Sequence, residues 1–164
     1  MTYFQEEIAD SLIDLAKKRS SLVHNNGEKI VLTSGCFDIL HGGQLKHLCE
    51  SSVHGFLIVG INSNASVRRL KGDSRPVRDQ EDRLFVVAGL KPVGLAVIFD
   101  DDIELIQASR PDIYIASATS NIRIWDDTRR LRILRDMNIP IIELPILKEE
   151  STTQIIERAR RSLV

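Results

Sequence analysis

A doubly wound α/β domain with a parallel five-stranded sheet is the fold class this sequence predicts, and three observations predict it. Short apolar runs without alternation recur at residues 29–33, 56–61, 95–99, 112–115 and 139–144. Segments with helical character lie between them, at 43–50, 81–90, 103–108 and 126–137, and a last one follows at 152–162. Pro76, Pro92, Pro111, Pro140 and Pro145 fall at the boundaries, where a missing N–H and a fixed φ do least harm. Continuous apolar strands alternating with helices describe a sheet covered on both faces, joined by right-handed crossovers.

Taken in order, the chain opens with Phe4, Ile8, Leu12 and Leu15 at helical spacing, with Glu6, Glu7, Asp10, Asp14 and Lys17 between them. That pattern predicts an amphipathic helix within residues 1–22, packed on the domain ahead of the first strand. The 164 residues suit one domain with a single core. Lys and Arg total 22 against 23 Asp and Glu, a formal charge of -1, so no global field draws the protein to nucleic acid or an anionic membrane. Any anion site is therefore local. Cys36 and Cys49 match no metal spacing, and a domain of this size needs no disulfide staple. The first residues carry acids where a signal peptide is basic and apolar, and no apolar run approaches about 18 residues. The expectation is a cytoplasmic protein.

In a doubly wound sheet, ligands bind beyond the carboxyl ends of the strands. The loop after the first apolar run is the most informative: Thr33-Ser34-Gly35-Cys36-Phe37-Asp38-Ile39-Leu40-His41-Gly42-Gly43-Gln44. Its glycines let backbone N–H groups approach a ligand, and the helix start that follows offers unpaired donors and positive dipole to a phosphate. An ordinary strand-to-helix connection, with Asp38 capping and His41 at the surface, accounts for the same residues. Ser151-Thr152-Thr153 reads on its own as an N-cap for the last helix, and Lys71 with Arg68, Arg69 and Arg75 reads as a solvated basic loop. His47 and His54 lack a carboxylate partner and read as structural or surface groups. Trp125 reads as packing at a helix start, and Asp100-Asp101-Asp102 as a solvated turn.

The segment from Gly35 to Gln44 resembles the signature of the nucleotidyltransferase superfamily with the motif Gly-x-Phe-Asp-x-x-His-x-Gly-His. The likeness continues through Gly60-Ile61-Asn62-Ser63-Asn64-Ala65-Ser66-Val67-Arg68-Arg69-Leu70-Lys71-Gly72, Arg75-Pro76-Val77, Glu81-Asp82-Arg83 and Ser151-Thr152-Thr153. In these stretches the chain is similar to the branch holding glycerol-3-phosphate cytidylyltransferase and, more closely, the adenylyltransferase domain of ADP-heptose synthase. The resemblance implies a Rossmann-like nucleotidyltransferase fold and transfer of AMP or CMP from ATP or CTP, with Mg²⁺, to a sugar phosphate or polyol phosphate. The heptose-like branch implies ATP in preference to CTP, and family members often form homodimers.

By the same resemblance, His41, Gln44 and Lys71 would be catalytic. Ser34, Gly35, Cys36, Phe37, His41, Gln44, Asn62, Arg75, Ser151, Thr152 and Thr153 would bind the nucleotide. No protein metal site is expected. The chain departs from the pattern at three places. Gln44 replaces the second motif histidine, and Ile115-Ala116-Ser117-Ala118-Thr119 stands where the family usually has Lys-Gly-Gly-Asp after its fourth strand. Glu150 stands beside Ser151, where an aromatic or apolar residue is common. Ser34 for the usual Asn is a milder change. These departures imply a slower enzyme, a nucleotide sensor or interaction subunit, or a pocket for another acceptor built from residues 116–119 with Asn121 or Arg123.

Overall fold

A computed structural model describes residues 6–117, 129–145 and 151–162. In chain order the elements are β1 (Ile8–Ala9), α1 (Leu12–Asn26), β2 (Ile30–Gly35), α2 (Gly42–Ser52), β3 (Phe56–Asn62), α3 (Asn64–Lys71), α4 (Gln80–Ala88), β4 (Leu95–Phe99), α5 (Asp102–Ser109), β5 (Ile113–Ser117), α6 (Arg129–Asp136), β6 (Ile141–Leu144) and α7 (Thr152–Arg161). All strand pairs are parallel, and the order across the sheet is β1-β4-β3-β2-β5-β6. The chain thus builds outward from β2 on one side and then switches to β5 on the other, which makes the fold doubly wound as expected.

Alternate residues of each strand feed two separate cores. Ile30, Leu32, Ile58, Val97 and Tyr114 pack with Leu15 of α1, Leu105 and Ile106 of α5 and Leu134 of α6. Val31, Leu57, Val59, Ala96 and Ile115 pack on the other side with Leu48 of α2 and Val87 and Ala88 of α4. Gly60 lets α5 come close: a Cβ there would lie 2.5 Å from Leu105 Cδ2.

The sheet has six strands rather than the five expected. Ile8 and Ala9, read as the first turns of a helix, instead pair with Ala96 and Val97 at the edge of the sheet. The helix begins later, at Leu12, because Ser11 caps it by accepting from the Asp14 N–H at 3.2 Å. It runs to Asn26 and ends at Gly27 in a left-handed conformation. Phe4 lies outside the described residues. A second difference is α3, where the sequence predicts only a loop; Ser63 caps it, accepting from Ser66 N–H at 3.0 Å.

Candidate active site

β2 ends in the motif loop, and the loop is built around a buried carboxylate. Asp38, only 1% exposed, is not a helix cap. It accepts from Arg75 Nε at 2.6 Å and from the backbone N–H groups of Val77 at 2.8 Å and Arg78 at 3.1 Å. Segment 75–78 is thereby fastened over the motif loop. Arg83, also 1% exposed, fastens it from behind. Its Nη1 donates to Cys36 O at 2.5 Å, Nε to Arg78 O at 3.0 Å and Nη2 to Asn64 Oδ1 at 3.0 Å. Phe37 takes a left-handed φ of 46°, and its ring covers Gly35 so closely that a Cβ there would lie 3.1 Å from Cε2.

Two helix starts converge on this loop. His41 is the N-cap of α2, and Gln44 turns back so that its Oε1 accepts from the His41 N–H at 3.3 Å. At α7, Ser151 is the N-cap: its Oγ accepts from Gln154 N–H at 3.3 Å, and its own N–H donates to Gln154 Oε1 at 2.8 Å. Thr152, buried, donates from Oγ1 to Ile39 O at 3.4 Å, joining residues 113 apart in sequence. Thr153 is exposed. The starts of two helices, each favouring an anion through its dipole, are thus brought to the motif loop.

The sheet parts beside them. β2 pairs with β3 over its whole length, from Ile30↔Phe56 to Gly35↔Ile61, yet with β5 only at Val31↔Ile113 and Leu32↔Tyr114. Beyond Leu32 side chains bridge the two strands. Thr33 Oγ1 donates to Ile115 O at 3.0 Å, and Ser34 Oγ lies 3.0 Å from Tyr114 Oη. This is the switch in strand order, where ligands of doubly wound sheets bind.

His47 of α2 supports the same bridge. Thr33 spends its only proton on Ile115 O, so it accepts from His47 Nε2–H at 3.0 Å. Burial lowers the His47 pKa from the ordinary 6.5. Below pH 6.5 the unfolded chain then binds more protons than the folded one, so stability falls as pH drops from 6.5 through the folded value. Chemical denaturation at pH 7.5 and in acid should show this loss, and His47→Gln should remove it; an unchanged acid loss in that variant places its origin elsewhere.

Of the remaining candidates, Asn62 is buried and faces the protein. Its Nδ2 donates to Ser66 Oγ at 3.0 Å, and Cys36 Sγ lies 3.8 Å from its Oδ1. Burial pushes the Cys36 thiol pKa up, while Lys71, Arg83 and Arg75 pull it down, in that order among the cations. Three cations from separate parts of the chain thus bear on the motif loop. Lys71 stands exposed at the last turn of α3, on a helix rather than in the expected loop. Arg75 is not part of a solvated loop either, since Asp38 holds it. Asp100, Asp101 and Asp102 are also more engaged than a solvated turn, with Ser63 donating to Asp100, Asp101 capping α5 and Arg130 donating to Asp102. Ala118, Thr119, Asn121, Arg123, Trp125 and Glu150 lie outside the described residues.

Sequence reasoning named the loop but missed its supports, Asp38, Arg83, Tyr114, Arg130 and Asp102. Asp38 and Arg83 lie inside motif stretches, which was the signal available for them. Residues 32–158 match the family model described as cytidylyltransferase-like. The chain belongs to the cytidylyltransferase-like family. Among relatives, it is 40% identical over 141 residues to the Bifunctional protein HldE of a Nitratiruptor species, covering 84% of this chain and 29% of that protein. The HldE of Wolinella succinogenes is 49% identical over 109 residues, covering 65% of this chain and 22% of that protein. The chain therefore spans about a quarter of the length of these relatives. Two solved structures share the fold of this chain. The lipopolysaccharide core biosynthesis protein from Thermoplasma volcanium has a TM-score of 0.60 at 24% identity, covering 76% of this chain and 100% of that one. The pantoate-beta-alanine ligase from Francisella tularensis, complexed with beta-gamma ATP and beta-alanine, has a TM-score of 0.64 at 14% identity, covering 96% and 78%.

Proposed function

We propose that this chain is a nucleotidyltransferase that transfers AMP or CMP from a nucleoside triphosphate to a sugar phosphate of the heptose 1-phosphate kind, or to a polyol phosphate. The observation that carries the proposal is the meeting of the α2 and α7 starts over the motif loop, joined at Thr152 and Ile39, beside the parted ends of β2 and β5. An acceptor phosphate oxygen attacks the α-phosphorus in line, the bond from that phosphorus to the bridging oxygen breaks, and pyrophosphate leaves. Such a step needs donors and cations placed around the phosphates more than it needs an acid or base.

His41 and Gln44 serve as donors to the reacting phosphate, and Lys71 and Arg75 neutralise its charge. Ser34 and the first turn of α7, Ser151 to Thr153, hold the other phosphates, with Gly35, Cys36 and Phe37 shaping the loop. Asn62 acts from behind through Cys36. Among the described residues no group of three or more His, Cys, Asp or Glu side chains is placed to hold a metal. Mg²⁺ bound with the triphosphate would neutralise phosphate charge. The proposed enzyme works in the cytoplasm and as a homodimer, the assembly that the family resemblance implies; among the described residues no helix is long and apolar enough to cross a membrane.

One observation favours a second reading. Gln44 spends its amide oxygen on closing the start of α2, a structural use that suits a nucleotide sensor or interaction subunit as well as an enzyme. A pyrophosphate-release screen of ATP and CTP against a panel of sugar and polyol phosphates separates the two. Turnover with one donor and one acceptor supports the enzyme, and triphosphate binding without turnover in any pair supports the sensor.

A further inference from the structure

Four polar side chains from four elements form a continuous chain across the parted strands. Arg130 of α6 donates through Nη2 to Asp102 of α5 and through Nη1 to Tyr114 Oη of β5 at 3.1 Å, and Tyr114 Oη lies 3.0 Å from Ser34 Oγ of β2. Tyr114 is 2% exposed, so its hydroxyl depends on these partners for its hydrogen bonds. Burial raises its pKa, which keeps the phenol protonated at neutral pH.

The direction of the chain follows from chemistry. A guanidinium only donates, so Tyr114 Oη accepts from Arg130; its buried proton needs an acceptor, and among the described residues Ser34 Oγ is the one within hydrogen-bond distance. The serine oxygen then accepts from Tyr114. Its own proton is left for a group outside this chain of contacts, at the switch point and one residue before Gly35 of the motif.

We propose that Tyr114 is a positioning residue of the nucleotide site: held by Arg130 and Asp102, it makes Ser34 a hydrogen-bond donor to an anionic oxygen of the bound triphosphate. This deepens the nucleotidyltransferase reading and rests on it. Tyr114 itself touches no ligand; it acts through Ser34.

Calorimetric titration of Mg-ATP and Mg-CTP into the wild type, Tyr114→Phe, Ser34→Ala and the double variant tests the assignment. Each single change should weaken binding roughly 5- to 10-fold, the worth of one hydrogen bond. The double variant should bind no worse than either single one, because both remove the same interaction. Wild-type affinity in Tyr114→Phe, or losses that multiply in the double variant, would overturn the proposal. Should Tyr114→Phe fail to fold, Ser34→Ala decides alone, since it leaves the Arg130 contact intact; wild-type affinity there overturns the proposal too. A wild type that binds neither triphosphate defeats the nucleotidyltransferase reading and the positioning role together, whereas a binding wild type with unaffected variants defeats only the positioning role.

Discussion

Replacing Asp38 by alanine will cost about 3–5 kcal/mol of folding stability, the usual loss when one partner of a buried ion pair is removed. The carboxylate is 1% exposed and serves three donors at 2.6 to 3.1 Å. Without it the Arg75 guanidinium, itself only 11% exposed, keeps its charge but loses its counterion. The amides of Val77 and Arg78 lose their acceptor at the same time. With ordinary domains stable by about 5–15 kcal/mol, the variant should unfold far more readily in denaturant. Asp38→Asn keeps one carbonyl oxygen for the amides and should fall between the two. A loss under about 1 kcal/mol for Asp38→Ala would show that segment 75–78 is held by other means. The motif aspartate thus holds segment 75–78 against the motif loop.

Changing Gln44 to histidine should move activity and stability in opposite directions. Removal of a transition-state donor commonly costs about 10²- to 10³-fold in rate, and a neutral amide retains part of what a charged imidazolium supplies. Restoring the histidine should therefore raise the rate of pyrophosphate release roughly 10-fold. The cost is at the helix start, where Gln44 Oε1 accepts from the His41 N–H at 3.3 Å. The imidazolium that donates to an oxyanion has no acceptor for that N–H, and loss of a cap contact costs about 0.5–2 kcal/mol. Rate assays paired with thermal unfolding check both signs. A faster and equally stable variant would mean that Gln44 contributes nothing to the start of α2, and a slower one that position 44 has been rebuilt around glutamine.

The strands were legible because continuous apolar runs such as 56–61, bounded by polar segments, suit a strand buried on both faces and little else in an α/β chain. The edge strand was not. Ile8 and Ala9 sit in a run whose spacing, Phe4, Ile8, Leu12 and Leu15, suits a helix, and only pairing with Ala96 and Val97, almost ninety positions away, makes them a strand. Helix α3 was missed for a different reason: Asn64 to Lys71 is mostly polar, and its definition comes from the Ser63 cap and from packing of Val67. In the site, the glycines, His41 and the Ser-Thr-Thr start pointed to phosphate only through the family resemblance, since on their own they read equally as a strand-to-helix connection and an N-cap. Their supports were not legible, because Arg75 meets Asp38 from 37 residues away and Arg83 meets Cys36 from 47. Likewise Tyr114 looked like one more apolar strand residue until Ser34 and Arg130 closed on its hydroxyl.

The most direct test of the nucleotidyltransferase reading is the rate of pyrophosphate release by the wild type and by His41→Ala, with Mg-ATP or Mg-CTP and a phosphorylated sugar. Acceptor-dependent release by the wild type, slowed about 10²- to 10³-fold in His41→Ala, is the predicted result. Release by a Gln44→His protein, with none from the wild type for any donor and acceptor, would contradict it and leave a nucleotide-binding relative that has lost its chemistry.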